Sequence, residues 1–200
     1  MPCSCKKCAC CSKTKTTWAE SSTFSKKYWS SPDGQYLITT DPTVIDLEKL
    51  HNFLSKEAYW SPGIPFELMQ KAISNSVPFS LLAKVDPNSK LNTSKTLIRI
   101  TAKDKSEEVA KVVKNSKFEF IGFARVVTDM SGFGYLADVF IDAHHRGKGL
   151  GKFLISCIMN HEDFKFFRRW TLATRDGHPF YKQFGWGPAS DRMMEITKLP

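Results

Sequence analysis

Three glycines at alternate positions, Gly147, Gly149 and Gly151, stand in the stretch HHRGKGLGKFL, residues 144–154. Arg146, Lys148 and Lys152 lie among them, with an apolar run before and a helical pattern after. At such a place the backbone can do chemistry. The first turn of a helix leaves N–H groups without partners and carries the positive end of a dipole, so it draws anions. Glycine lets the backbone approach the anion and take dihedral angles closed to other residues. The stretch reads as a phosphate or diphosphate cradle, or else as a glycine-rich turn that holds nothing. Two familiar phosphate loops do not fit. A GxxxxGK[ST] loop needs a Ser or Thr after its Gly-Lys pair, which is missing here. A dinucleotide fingerprint needs GxGxxG after the first strand of a βαβ unit. Here the spacing is tighter and comes late in the chain.

The elements around the glycines follow from pattern. YLITT (36–40) has strand composition. Ile45, Leu47, Leu50, Phe53 and Leu54 recur at helical spacing, predicting a helix to about Lys56, which SPGIP (61–65) ends. FELMQKAISNS reads as a second helix and FSLLAKV (79–85) as a strand. FEFIGFARVVT (118–128) and GYLADVFI (134–141) are strands joined by a tight loop, hence an antiparallel hairpin. After the glycines, Leu150, Phe153, Leu154, Cys157 and Ile158 give a helix an apolar face to about Asn160. RWTLAT (169–174) reads as a strand, HPFYKQFG as a short helix closed by Gly185, and MMEIT (193–197) as a last strand. The order predicts one mixed α/β domain with no internal repeat.

Composition sets outer bounds. The 200 residues carry a formal charge of +9, with 42% hydrophobic and 24% charged residues, as expected of a globular domain. No apolar run reaches membrane-spanning length, and the N-terminus has no secretory h-region. The charge is uneven. Residues 1–35 hold six Lys/Arg against two acidic residues, and residues 86–117 hold eight against four. The excess thus lies in a tail and an apparent lysine-rich insertion, not on a folded face, so no specific nucleic-acid partner is expected. Five of six cysteines fall in CSCKKCACC (3–11). A secreted disulfide scaffold would spread them, so a reducing compartment is expected, cytoplasmic or nuclear.

RGKGLG (146–151), with YLADVFIDAHH before it and WTLATRDGHPFYKQFGW after it, resembles the R/Q-x-x-G-x-G/A signature and surroundings of the GNAT N-acetyltransferases. The resemblance covers roughly residues 36–198 without the insertion. It implies the GNAT acyl-CoA N-acyltransferase fold, a mixed central sheet flanked by helices, over residues 36–200. It implies transfer of an acetyl group from acetyl-CoA directly to an acceptor amine. On that basis the backbone of Arg146, Gly147, Lys148, Gly149, Leu150 and Gly151 would hold the diphosphate. Val139 and Ile141 would pair with the pantetheine arm in the manner of an added strand. Tyr181 would protonate the departing thiolate; a phenol stays protonated at neutral pH and can donate, though the residue also reads as core packing beside Phe180, Phe184 and Trp186. The partners expected are acetyl-CoA and an amine acceptor, with a homodimer left open.

The amine must lose a proton to attack, and the family is not uniform about its base. Asp138 is the first candidate; a structural pairing with Arg125 on the neighbouring strand stands beside that role. His178 is another candidate, or merely a turn residue before proline. Strand alternation puts Asp138 and Phe140 on one face and Val139 and Ile141 on the other. Tyr59 and Trp60 lie between the two early helices, where the resemblance places a substrate wall, and read equally as a staple between those helices. The cysteine-rich segment, 1–35 overall, reads as a tail by default, with soft-metal binding or S-acylation as alternatives; no metal ligand is assigned in the domain. The rival to an enzyme is a non-catalytic CoA-binding or interaction module.

Overall fold

The computed structural model describes residues 27–85, 98–99 and 117–196. The cysteine-rich stretch and most of the lysine-rich insertion lie outside the described residues. Seven strands form one sheet among them: β1 (Tyr28–Ser30), β2 (Tyr36–Thr39), β3 (Val77–Lys84), β4 (Ile98–Arg99), β5 (Lys117–Thr128), β6 (Phe133–Ile141) and β7 (Arg169–Thr171). The order is β1-β2-β3-β5-β6-β7, with β4 paired to the start of β5. All pairings are antiparallel except β6 with β7, which is parallel. This is the mixed sheet expected.

Helices cover both faces. α1 (Leu47–Lys56) and α2 (Phe66–Ser74) bury Leu50, Leu54, Met69 and Ile73 against Leu37, Leu82, Phe120, Phe123 and Phe140. α3 (Leu150–Met159) buries Leu150, Leu154, Ile155 and Ile158 against Ile38, Phe79, Leu81, Ile121 and Leu136 on the other face. With cores on both sides, β3 is buried at seven consecutive positions rather than alternating. Each such aliphatic side chain contributes about 1.5–3 kcal/mol by leaving water. Asp46 caps α1, its carboxylate accepting from Lys49 N–H at 2.9 Å.

Two expectations need correction at the chain's ends. The expected tail ran to residue 35, but Tyr28–Ser30 already pairs with β2, where Trp29 packs against Phe79. Polar Ser and Lys neighbours hid that strand from composition. At the other end, the expected strand at 193–197 does not form: Met193–Ile196 is irregular, and Met194 and Ile196 are 97% and 87% exposed. A β-rich composition makes a strand only where an edge is offered in register.

Candidate functional site

β6 pairs with β7 over Phe133–Tyr135 only, after which the two chains part. Between them opens a cleft of about 1050 Å³, bounded by β6, the glycine loop, Leu172–Thr174, the short helix α4 (His178–Lys182) and the segment after α1. On its other edge β6 stays bonded to β5, but irregularly. Phe123 faces Phe140 and Arg125 faces Ala137, so β6 carries one more residue than β5 across this interval. The extra residue sits at Asp138, whose φ is +52°, a left-handed angle that aspartate tolerates better than most side chains. The bulge resets the alternation. Leu136 packs in the α3 core, whereas Phe140 packs in the α1–α2 core and stacks on Phe53 with centroids 4.2 Å apart. Val139 and Ile141 join the α3 side, and Asp138 lies with Phe140, as the alternation predicts.

β6 ends at a built corner. Asp142 donates its N–H to Ile121 O at 2.7 Å, and its carboxylate accepts from His144 N–H and pairs with Lys49 Nζ at 2.8 Å. Burial alone would raise this carboxyl, but the Lys49 and His144 hydrogen bonds outweigh it and hold it below its ordinary value. Arg146 Nε–H donates to Ile141 O at 2.9 Å, folding the loop back on the strand. Gly147 (φ +77°) and Gly149 (φ +78°) then take left-handed angles that lead into α3. A Cβ at either would meet nothing within 4 Å, so the dihedral angle, not space, calls for glycine. Gly151 is different: a Cβ there would lie 3.3 Å from Phe180 Cζ, so its bare Cα lets α4 pack on the loop.

Among the described residues, the N–H groups of Gly147 through Lys152 donate to no protein acceptor; the next one, Phe153 N–H, closes the first helical bond to Gly149 O. Gly147, Gly149, Leu150 and Gly151 line the cleft with Arg146 and Lys152, and Lys148 does not. These donors lie where the sequence led us to expect a phosphate cradle, and a donor set of this kind suits a diphosphate. His145, which sequence reasoning passed over, also lines the cleft. Its Nδ1 is buried without a partner among the described residues, and burial with help from Lys148 holds its pKa below the ordinary value. Among the described residues no strand lies beside β6 from Ala137 to Ile141 on this edge, leaving Val139 and Ile141 along an open ladder.

Tyr181 lies on the opposite wall, half-buried, edge-on to Phe180 and Trp186 at 5.0 and 6.1 Å. Burial, with a smaller push from Tyr59, raises its phenol to about 12. It packs with the core and also lines the cleft, so its packing does not withdraw the ring from the site. Gly177 places it: a Cβ there would meet Thr174 Oγ1 at 2.8 Å and Tyr181 Cε2 at 3.0 Å. Thr174 Oγ1 accepts from Gly177 N–H at 2.9 Å and shapes the turn that starts α4. Nothing in the sequence pattern pointed to this pair. His178 is exposed and lines no part of the cleft.

The cleft wall formed by the segment after α1 is aromatic. Tyr59 and Trp60 both line the cleft, 41% and 38% exposed. Tyr59 Oη accepts from Arg175 N–H at 2.7 Å, and the Arg175 guanidinium sits 4.0 Å over its ring. Trp60 Nε1–H donates to Asp138 Oδ1 at 3.0 Å. Asp138 Oδ2 pairs with Arg125 Nε. So Asp138 takes the structural pairing that the sequence had left open, with both oxygens engaged. Glu57, also on this wall, has no side-chain partner among the described residues. No group of three or more His, Cys, Asp or Glu able to hold a metal occurs among the described residues, and no helix there is long and apolar enough to cross a membrane.

Residues 107–188 match the family model described as the acetyltransferase (GNAT) domain. A Gibberella zeae protein described as an acetyltransferase, FG08082, is 31% identical over 156 residues, 76% of this chain and 79% of that protein. Among solved structures, a GNAT-family protein from Xanthomonas campestris pv. campestris is 29% identical, with a TM-score of 0.60 over 81% of this chain and 92% of its own. A Deinococcus radiodurans protein at 15% identity shares the fold, with a TM-score of 0.51 over 85% of this chain and 94% of its own. A splayed parallel pair, a bulged strand and a glycine turn with its amides unspent thus coincide with sequence kinship over most of the chain, and the chain belongs to the GNAT acetyltransferases.

Proposed function

We propose that the protein is an N-acetyltransferase that uses acetyl-CoA and delivers the acetyl group directly to an amine bound on the Tyr59–Trp60 side of the cleft. The observation that carries this reading is the run of N–H groups from Gly147 to Lys152, unbonded among the described residues, in a loop whose Gly147, Gly149, Leu150, Gly151 and Lys152 line the cleft that also holds Tyr181. Acetyl-CoA supplies the thioester carbonyl, at which the amine nitrogen forms the new C–N bond while the C–S bond breaks.

The chain's own residues do the rest. The loop amides and Arg146 bind the diphosphate, and the free edge of β6 orients the arm that carries the thioester. Tyr181 keeps its proton throughout the neutral range and gives it to the sulfur as the thiolate leaves. The amine's surplus proton passes to solvent at the Glu57 side of the cleft, where a carboxylate stands without a partner among the described residues. Asp138 serves position rather than proton removal, because both of its oxygens are occupied by Trp60 and Arg125.

Calorimetry with acetyl-CoA, followed by a screen of small amines and peptides with labelled acetyl-CoA, tests the reading. Binding together with transfer that falls on Tyr181→Phe supports it. Binding without any transfer would mark a CoA-binding module, and no binding would remove the reading altogether.

A further inference from the structure

Arg125 is committed at one edge only. Its Nε–H donates to Asp138 Oδ2, and its Nη1 and Nη2 groups meet no protein acceptor among the described residues. The side chain is 17% exposed, yet it lines the cleft, and neither terminal nitrogen is sealed from solvent. A guanidinium offers a planar fork of donors, suited to two oxygens of one anion. Here the fork is aimed in advance. Asp138 pins its Nε edge, the bulge pins Asp138, and Trp60 fixes the other carboxylate oxygen. What remains open to the cleft is the terminal pair, the geometry that binds a carboxylate or a phosphate end-on.

Location says which molecule carries that anion. The diphosphate cradle begins after Ile141, at the end of β6. Arg125 sits opposite Ala137, four residues up the strand, a run of roughly 13 Å. It shares that end with Trp60 and Asp138, on the acceptor side. The same wall carries Glu57, an acidic partner for an ammonium group.

We infer that Arg125 binds an oxyanion on the acceptor itself, so that the acceptor is an amine that also bears a carboxylate or a phosphate. The inference rests on the acetyl-transfer reading given above. Asp138 is then a positioning residue: it orients Arg125 and keeps the guanidinium neutralised while the site is empty of acceptor.

The test compares matched acceptors with labelled acetyl-CoA: an α-amino acid, its carboxamide, the decarboxylated amine and an aminoalkyl phosphate. An oxyanion-bearing acceptor should exceed its neutral counterpart in kcat/KM by roughly 10–100-fold, the worth of a charge-assisted hydrogen-bond pair. The carboxylate and phosphate arms show which anion is meant. In Arg125→Gln that ratio should collapse toward unity, chiefly through the acceptor KM, and Arg125→Lys should recover part of it. Neutral amines used as well as their anionic partners would overturn the inference, as would an Arg125→Gln enzyme that loses all acceptors in equal proportion. If that variant does not fold, the wild-type selectivity decides, together with competition by simple carboxylates or inorganic phosphate against the acceptor. Acetyl-CoA binding is measured separately. If it persists without oxyanion preference, only this inference falls; if it is absent, the acetyl-transfer reading falls and takes this one with it.

Discussion

The indole N–H of Trp60 donates to Asp138 Oδ1 at 3.0 Å, tying the segment after α1 to the bulge of β6 across 78 residues of sequence. One bond thus connects the aromatic wall of the cleft, the proposed acceptor side, to β6, the strand proposed to hold the thioester arm. Trp60→Phe keeps a ring near Phe53 but removes the donor. A hydrogen bond to a charged group is worth about 1.5–3 kcal/mol, and less where the site is as open to water as this one. We expect steady-state kinetics to show an acceptor KM raised several-fold, with acetyl-CoA affinity by calorimetry unchanged. Equal losses for both substrates would mean that the indole supports the fold and not the acceptor wall.

Tyr181→Phe removes the proposed acid while leaving the ring that packs on Phe180 and Trp186. Acid catalysis of this kind contributes about 10²–10⁴-fold. The expected result is a kcat lower by that order with acetyl-CoA affinity retained. The phenol's raised value, about 12, adds a sign: it stays protonated up to strongly alkaline pH, so no loss of activity between pH 7 and 10 belongs to it. A pH–rate profile whose alkaline limb vanished in Tyr181→Phe would contradict the assignment.

The loop glycines should fail in different ways. Gly149→Ala meets no atom but forces a left-handed angle on alanine, at a cost of about 1–2 kcal/mol. It should weaken acetyl-CoA binding about ten-fold with little change in kcat. Gly151→Val would push on Phe180, and through it on the helix that holds Tyr181. It should lower kcat as well as affinity. Side-by-side calorimetry and turnover on the two variants would separate dihedral from packing effects.

His161 predicts acid sensitivity of the fold. Its side chain is fully buried, with ring centroids 4.5 Å from Phe164, 5.5 Å from Trp29 and 5.7 Å from Phe79. Nδ1 accepts from Asp163 N–H, and Nε2 has no partner among the described residues. Burial lowers its pKa from the ordinary 6.5. Below that value the unfolded chain takes up a proton that the folded chain resists, so the stability tied to this group is complete above pH 6.5 and lost as pH falls. His145 is lowered in the same direction. Thermal melts should hold steady near pH 7–8 and fall between about pH 6.5 and 5, with a shallower fall in His161→Phe. An unchanged slope in that variant would place the acid sensitivity elsewhere.

Much of this was legible in the primary structure. The apolar spacing of Leu50 and Leu54, and of Leu150, Leu154 and Ile158, placed two helices. The runs 118–128 and 134–141 gave the central hairpin, and the alternating glycines marked the loop, because each is a local preference of a few neighbouring residues. What failed at the ends was also instructive: β1 is a three-residue strand, Tyr28–Ser30, whose two aromatic residues are too short a signal among polar neighbours until β2 pairs with them, and Met193–Ile196 finds no edge.

The sequence by itself determined the pieces: a helix with bare glycines at its entrance, a strand before it, a tyrosine after it. Only the tertiary structure decided what those pieces enclose. The parting of β6 from β7, the extra residue at Asp138 and the joint hold of Trp60 and Arg125 on one carboxylate all depend on contacts between residues distant in the chain. Register and hydrogen-bond partners across a sheet are set by which strands meet and how all the surrounding side chains pack, and no local pattern of residues encodes that.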